Sequence, residues 1–401
     1  MAFKAILRQG KESSVVRRHP WVFSGAIKRI VDENEQRASP EEGAWIEVYS
    51  NDRHFLGAGF YALGSIAIRI ITFQHKEVDS EFWKNRIAES LQLRKSLKLI
   101  NEQNNIFRLI HGEGDGFPGL IIDMYNGNAV IQAHAYGIHL VRHDISNALQ
   151  QVFGSELQSI YYKSKETLPA SFEVENEFLF GEVATPIVAS EYDCKYQIDW
   201  VTGQKTGFFI DQRENRKLIG EYSQGKKVLN TFCYSGGFSL AALKNGATEV
   251  HSVDASEKAI VLTDNNILLN GFEDKHQSFA IDTFKFFEQE ADEDYDVVVL
   301  DPPAFAKHQN VKHKAVQGYK RLNATALKFI KPGGILFTFS CSQVIDRKLF
   351  YNTIMAAAIQ AKREVRVLHH LSQPADHPVN IFHPEGEYLK GLVLYVGESW
   401  N

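Results

Sequence analysis

Residues 227–254 read KVLNTFCYSGGFSLAALKNGATEVHSVD. KVLNTF (227–232) is a short apolar, β-type run and predicts a strand. Ser235, Gly236 and Gly237 make a tight turn, FSLAALKN is a helix stopped by Gly246, and EVHSVD (249–254) is a second strand. A strand, a helix and another strand at this spacing predict a parallel pair joined by a crossover.

The same rhythm continues on the C-terminal side. SEKAIVLTDNNILLN (256–270) is a helix stopped at Asn270-Gly271, and SFAID (278–282) is a strand. YDVVVLD (295–301) is a strand, a helix is expected over 315–330 up to Lys331-Pro332-Gly333-Gly334, and ILFTFSC (335–341) is the next strand. Alternation of this kind predicts an α/β domain whose mostly parallel sheet is covered on both faces. The ligand of such a sheet lies beyond the carboxyl ends of its strands.

What stands at those ends narrows the ligand. CYSGGFSL is neither the G-x-G-x-x-G of a dinucleotide loop nor the G-K-[ST] of a phosphate loop. Ser235, Gly236 and Gly237 instead let a ligand approach the backbone. Asp254, 18 residues past Gly236, can accept hydrogen bonds from both hydroxyls of a ribose. Asp282 ends the third strand, where a carboxylate can receive an exocyclic amine, and Asp301 ends the fourth. Three carboxylates over four strand ends suit a nucleoside carrying a positive group better than one carrying phosphates. Taken singly, Asp254 and Asp282 also read as helix N-caps.

The remaining chain sets the context. At 401 residues it exceeds a single core. Hydrophobic content of 44% and charged content of 23% are those of a soluble globular protein, and no apolar run approaches the ~20 residues that span a bilayer. MAFKAILRQGKESS lacks the apolar core of a signal peptide. Cys194, Cys233 and Cys341 form no C-x-x-C pair, which argues against a disulfide framework or a thiolate zinc site and for a reducing cytoplasm. No metal site and no membrane contact are expected. The net charge of −5 argues against a protein that coats nucleic acid. Residues 1–30 nevertheless hold Lys4, Arg8, Lys11, Arg17, Arg18, Lys28 and Arg29 against Glu12 alone, a basic patch that is either an RNA contact or solvated surface.

WIEVYS (45–50), FLGAGFYA (55–62) and IAIRIIT (66–72) predict a small β-barrel or sandwich, with Gly57 and Gly59 marking bends or bulges. EFWKNRIAESLQLRKSL (81–97) predicts an amphipathic connecting helix, and residues 106–188 an α+β domain. His111, Glu113 and Asp115 fit a polar turn better than a metal site, since no further ligand lies at matching spacing.

VLNTFCYSGGFSLAALKNGATEVHSVDAS resembles the first two motifs of class I S-adenosylmethionine-dependent methyltransferases. TGFFIDQRENR (206–216), DPPAF (301–305), SCS (340–342), HPEGEYLKG (383–391) and RLIHGEGDGFPGLIIDMY (108–125) are similar to the RlmI-like 23S rRNA cytosine-5 methyltransferases, over essentially all 401 residues. The resemblance implies an RNA-binding PUA domain (1–75), a central α+β domain with its connecting helix (76–190) and a Rossmann-like methyltransferase domain (191–401). It also implies S-adenosyl-L-methionine as cofactor, 23S rRNA as partner and a homodimer. Carried over by position, Tyr234, Ser235 and Gly236 contact the cofactor, Asp254 its ribose and Asp282 its adenine, while Gln212, Arg213 and Asp301 line the same pocket. Asn230 stands where many class I enzymes have an acidic residue, which leaves the contact to the methionine ammonium open.

Cys341 then has two readings, a small core residue or a nucleophile. Position 5 of cytosine is a poor nucleophile, and attack of a thiolate at C6 makes it reactive. The thiolate calls for a nearby cation or helix N-terminus to lower its pKa. Many RNA cytosine-5 methyltransferases carry a second cysteine directly after the Pro-Pro pair; here a proline and then Ala304 follow Pro302, a departure shared with the RlmI-like pattern. The base that removes the C5 proton is then Asp301 or a water. The rival is an amino methyltransferase, in which Asp301, Pro302 and Phe305 hold an exocyclic amine and Cys341 is a bystander. A third reading is an RNA-binding protein with a degenerate methyltransferase domain, against which the series from Gly236 to Asp301 speaks. HPEGEYLKG predicts a hairpin loop, and the resemblance places it at the border of the active site.

Overall fold

The computed structural model of the protein describes residues 3–289, 291, 295–306 and 308–400. The chain divides into two compact units, Met1–Ile187 with Ile198–Phe208 and Ala375–Gly386, and Val188–Gln197 with Phe209–Pro374 and Glu387–Asn401.

The first unit opens with a six-stranded sheet built from Phe3–Leu7, Trp21–Phe23, Ile27–Val31, Trp45–Tyr49, Phe55–Tyr61 and Ile66–Thr72. Gly59 has a backbone reason: a Cβ there would lie 1.9 Å from the Arg69 carbonyl oxygen, and the pairing shifts register between Ala58 and Gly59. The connecting helix, Ser80–Ser96, is capped by Asp79, whose Oδ1 accepts from Phe82 N at 2.8 Å, and it buries Phe82, Trp83, Ile87 and Leu91. Its Arg94 is fully buried and forks onto both oxygens of Asp115 at 2.5 and 2.7 Å. Asp115 also accepts from His111 N, and Glu113 accepts from Trp21 Nε1 at 2.8 Å, so the acidic turn at 111–115 is spent on protein partners. A five-stranded sheet whose strands neighbour one another in chain order completes this unit (Ile106–His111, Leu120–Tyr125, Asn128–Ala133, Ser159–Tyr162, Glu177–Phe180).

The second unit is built on a seven-stranded sheet. Its strands are β1 (Lys227–Thr231), β2 (Glu249–Asp254), β3 (His276–Ala280), β4 (Tyr295–Leu300), β5 (Ile330–Ser340), β6 (Arg363–Ser372) and β7 (Lys390–Ser399). Between them run α1 (Gly237–Lys244), α2 (Glu257–Leu269), α3 (Thr283–Gln289), α4 (Lys312–Ala326) and α5 (Arg347–Ala361). The order is β3-β2-β1-β4-β5-β7-β6, with β1 to β5 parallel and β7 antiparallel to both its neighbours. Strand order reverses between β1 and β4, which opens a crevice at their carboxyl ends. The core is apolar and continuous, from Leu229, Val253, Val298 and Leu300 to Tyr319, Leu322, Leu336 and Leu394.

Two expectations differ from what is observed. The helix foreseen over 315–330 is α4, which ends at Ala326, and β5 begins at Ile330 ahead of the Pro-Gly-Gly run. Ile330 pairs with Tyr295, and the strand absorbs the glycines through a register shift between Tyr295 and Val297. The loop around HPEGEYLKG is longer than a hairpin turn: β6 stops at Ser372 and β7 starts at Lys390, with residues 375–386 lying in the first unit. Among the described residues no helix is long and apolar enough to cross a membrane.

Candidate active site

The chain leaves β1 through three residues in the left-handed region, Phe232 (φ 58°), Tyr234 (φ 48°) and Gly236 (φ 73°). A side chain at Gly236 would meet Thr263 Cγ2 at 2.8 Å as well as adopting a disfavoured φ, so glycine is required. Each non-glycine residue in this conformation costs about 1–2 kcal/mol. Hydrogen bonds offset that cost. Thr263 Oγ1 donates to the Tyr234 carbonyl at 3.0 Å and Asn266 Nδ2 to the Ser235 carbonyl at 2.9 Å. Asn266 Oδ1 in turn accepts from Gln197 N at 2.8 Å, tying the loop to the strand Cys194–Ile198. Neither Thr263 nor Asn266 is singled out by sequence, where both read as the polar side of α2.

Asp254 belongs to the same construction. Its Oδ2 accepts from Tyr234 N at 3.1 Å and its Oδ1 from Ser256 N at 2.9 Å. A carboxylate has about four acceptor sites, so two remain for hydroxyls. Ser256, not Asp254, caps α2. Asp282 lies two residues past β3 and its Oδ1 accepts from Phe284 N and Lys285 N, at 3.0 and 3.2 Å, at the start of α3. Asn230, 1% exposed, donates to Ser239 Oγ at 2.9 Å, the start of a chain through Ser252 to His276. Its Oδ1 is buried with no hydrogen-bond partner among the described residues.

Below the loop, Arg216 is clamped by Glu191 through two bonds of 2.6 and 2.8 Å, and donates to the Phe209 carbonyl at 2.8 Å. Burial opposes charge on Arg216, but the Glu191 carboxylate outweighs it and raises its pKa above the ordinary value. Gly237 packs directly on this side chain, since a Cβ there would lie 2.8 Å from Arg216 Cδ. Arg213, fully buried, has its Nε 3.6 Å from Glu191 Oε2. The Phe209 ring meets Tyr234 edge-on at 5.0 Å, which seats the FFIDQ segment beside the loop.

The second half of the site follows β4 and β5. Asp301 follows β4, and Gln212, itself held by Asn215 at 2.6 Å, hydrogen-bonds to its carboxyl group. Burial, then the charge of Asp211, push the Asp301 carboxyl up to about 7. Asp211 Oδ2 accepts from Tyr388 OH at 2.7 Å, joining residues 177 apart in sequence. Pro302 is buried, and the Phe305 ring packs on Tyr319 at 4.6 Å. The two serines around Cys341 are structural. Ser340 Oγ bonds to Tyr319 OH at 3.0 Å and Ser342 Oγ to the Ala306 carbonyl at 2.6 Å, locking the cysteine turn to the DPPAF loop.

Of the three cysteines, Cys194 and Cys233 are buried and Cys341 is part-exposed. Burial pushes all three thiols up, Cys194 to about 11 and Cys233 to about 12. For Cys341, burial acts first, the carboxylates of Asp301 and Asp211 add to it, and Lys390 pulls the other way, leaving the thiol at about 11. The expected cation is therefore present, but in the resting protein it does not lower the thiol below its ordinary value. Lys390 opens β7 opposite Ser340. Within HPEGEYLKG nothing local marks this lysine; its register across from the cysteine turn exists only once β5 and β7 pair.

Arg17 and Arg18 lie in the first unit and are exposed. Arg17 Nε donates to the Ser13 carbonyl at 3.2 Å and Arg18 stacks over Phe73 at 5.0 Å, while Lys4 of the same patch pairs with Glu35. Among the described residues one group, His19, His383 and Glu385, has metal-ligand types close together. His19 Nδ1 accepts from Trp21 N at 3.1 Å, which places the ring proton on Nε2, 3.6 Å from Glu385 Oε2, with no lone pair there for a metal.

The profile of the S-adenosylmethionine-dependent methyltransferase family matches residues 169–382, and that of the PUA-like domain residues 5–73. The chain is 39% identical over 407 aligned residues to ribosomal RNA large subunit methyltransferase I of Shewanella denitrificans, covering 99% of this chain and 100% of that one. It is 38% identical to the protein of that name from Aeromonas salmonicida, covering 97% and 98%. Among solved structures it is similar to a methyltransferase complexed with SAH, with a TM-score of 0.82 and 23% identity over 98% of this chain and 100% of that one. A structure described as a SAM-dependent methyltransferase from Streptococcus mutans gives a TM-score of 0.81 at 22% identity, over 98% of this chain and 100% of that one. With the crevice, the strand-end carboxylates and the full-length relatives in agreement, the chain belongs to the ribosomal RNA large subunit methyltransferase I family of S-adenosylmethionine-dependent methyltransferases.

Proposed function

We propose that the protein methylates C5 of a cytosine in 23S rRNA through a covalent bond from Cys341 to C6. The observation that carries this reading is the position of Cys341: a part-exposed thiol at the carboxyl end of β5, locked to the DPPAF loop, with Asp301 and Lys390 around it. The relatives' printed names, large-subunit rRNA methyltransferases, support the substrate class.

S-adenosyl-L-methionine, when bound, supplies a methyl group on a positively charged sulfonium. The residues present suit it: the free acceptor sites of Asp254 for the ribose hydroxyls, those of Asp282 for the adenine amine, and the backbone of Tyr234, Ser235 and Gly236 alongside. The unpaired buried Oδ1 of Asn230 suits an ammonium group, and Gln212, Arg213 and Asp301 border the same crevice. The Cys341 thiolate adds to C6, the C5–C6 π pair shifts to C4–C5 and the C4–N3 π pair onto N3, and C5 becomes nucleophilic. After methylation a base takes the C5 proton, the double bond re-forms, and the C6–S pair returns to sulfur. Asp301 is that base in this reading, and a carboxyl pushed up to about 7 is matched to proton exchange near neutrality. Pro302 and Phe305 shape the base pocket, and the PUA-like region with its exposed Arg17 and Arg18 holds RNA phosphates. A homodimer and a cytoplasmic location belong to the same proposal.

RNA containing 5-fluorocytidine at the target tests it, because fluorine cannot leave as a proton does. A covalent adduct is expected that requires S-adenosylmethionine, is lost in Cys341→Ala and persists in Cys233→Ala and Cys194→Ala. Methyl transfer to native RNA should fall by several orders of magnitude in Cys341→Ala with cofactor binding kept. Robust methylation by folded Cys341→Ala, or a methylated exocyclic nitrogen, would replace this reading by amine methylation.

A further inference from the structure

Lys390 brackets Cys341 along the backbone. In the antiparallel pairing of β5 and β7 it stands across from Ser340, one residue before the cysteine. Its Nζ donates to the carbonyl of Ser342, one residue after it, at 2.6 Å. The side chain is 4% exposed, so the amine is directed along the cysteine turn rather than into solvent. A buried lysine is costly unless it is paired or used.

The charges around the pair come from four other segments. Cys341 faces two carboxyl groups, Asp301 after β4 and Asp211 before the helix Arg213–Glu221, and both oppose a thiolate. Lys390 faces Arg347 of α5, which opposes its charge, and Glu387 and Asp346, which favour it. A thiolate at Cys341 thus needs a cation to outweigh two carboxylates. We propose that Lys390 takes the Cys341 proton and then stands as the counter-ion of the thiolate, making it a positioning residue for the nucleophile. The Sγ–H bond breaks, an Nζ–H bond forms, and the electron pair stays on sulfur; on release of the product the same proton can return. This rests on the reading of Cys341 as the nucleophile.

Burial first, with Arg347 adding to it, draws the Lys390 ammonium down to about 8, so an amine that can accept a proton is available near neutrality. The first proton leaves Lys390 in that range, and the free amine can then accept the one on Cys341.

The test is alkylation of Cys341 by iodoacetamide from pH 6 to 11 in the full-length protein, read by peptide mass spectrometry, with buried Cys194 and Cys233 as internal controls. In the wild type the rate should rise with pH as the thiolate forms. In Lys390→Met the midpoint should move up by two units or more, with alkylation at pH 8 slowed more than about tenfold. Lys390→Arg, which keeps a fixed cation, should hold the midpoint below that of Lys390→Met and retain part of the methyl transfer that Lys390→Met loses. Superimposable profiles for wild type and a folded Lys390→Met would overturn the proposal. If Lys390→Met does not fold, a Lys390→Gln profile superimposable on that of the wild type would overturn it equally. A lysine-dependent profile combined with no 5-fluorocytidine adduct would support the pair while removing the cytosine chemistry.

Discussion

The loop after β1 and the turn after β5 stand at the same edge of one sheet and satisfy their polar groups in different ways. Around the loop, left-handed residues are held by Thr263, Asn266 and Asp254, and the buried Glu191–Arg216 pair supports it from below. Around the turn, backbone and serines are equally well bonded, but the ionisable groups are displaced: Cys341 and Asp301 upward, Lys390 downward. A surface that presents backbone to a ligand gains from being fixed before the ligand arrives. A group that exchanges protons gains from a pKa near the working pH, and burial among like charges is what supplies it. Rigidity and displaced charge have thus been assigned to different ends of one crevice.

Breaking the fixed end should have the larger effect on stability. Glu191→Ala leaves Arg216 and the neighbouring Arg213 buried without their carboxylate, and should cost about 3–5 kcal/mol. Urea unfolding measures this, and a loss under about 1 kcal/mol would show that the pair is not what supports the loop. Asp254→Ala is the more selective cut at the same end. It should weaken S-adenosylmethionine binding by ~1.5–3 kcal/mol, the usual loss for hydrogen bonds to a charged group. Unchanged affinity in calorimetry would remove Asp254 from the cofactor site.

The displaced end predicts the opposite sign. The Asp301 carboxyl has a raised pKa in the folded protein, so the native state binds more protons than the unfolded chain between about pH 4 and 7. Its contribution is fully present in acid and is lost as pH rises through about 7. Asp301→Asn should therefore gain stability over the wild type as pH goes from 4 to 8, by about 1–2 kcal/mol once solvent screening of a part-exposed group is allowed for. The same substitution should slow methyl transfer. Equal pH dependence of melting in the two proteins would mean that Asp301 titrates as an ordinary carboxylate.

The parts of the site that lie on consecutive strands were legible in the sequence. Ser235 to Gly237, Asp254 and Asp301 each follow an apolar β-type run, and local pattern alone places such residues at one edge of a parallel sheet. What escaped depends on pairing across long separations. Thr263 and Asn266 look like ordinary helix surface until the loop folds onto α2. Asp211 meets Tyr388 and Lys390 meets the cysteine turn only because β7 runs antiparallel between β5 and β6. Pro332-Gly333-Gly334 was misleading for a local reason. The run that ordinarily stops a helix is here built into a bulged strand, with Gly333 at φ 88° and Gly334 too close to the Asp296 carbonyl for a side chain.

The segment 375–386 has a consequence for how the protein is made. Asp376 is fully buried in the first unit, where its carboxylate accepts from Arg108 N at 3.0 Å and its carbonyl from Arg94 at 2.9 Å. Both bonds span more than 260 residues. On a translating ribosome the N-terminal part can collapse early, but it waits for nearly the whole chain before these acceptors arrive. At ~5–20 residues per second that delay amounts to roughly 13–55 s for a nascent unit carrying a buried, incompletely bonded arginine. A fragment ending at residue 374 would stay in that state permanently. Synthesis must run almost to its end before either half of the molecule is finished.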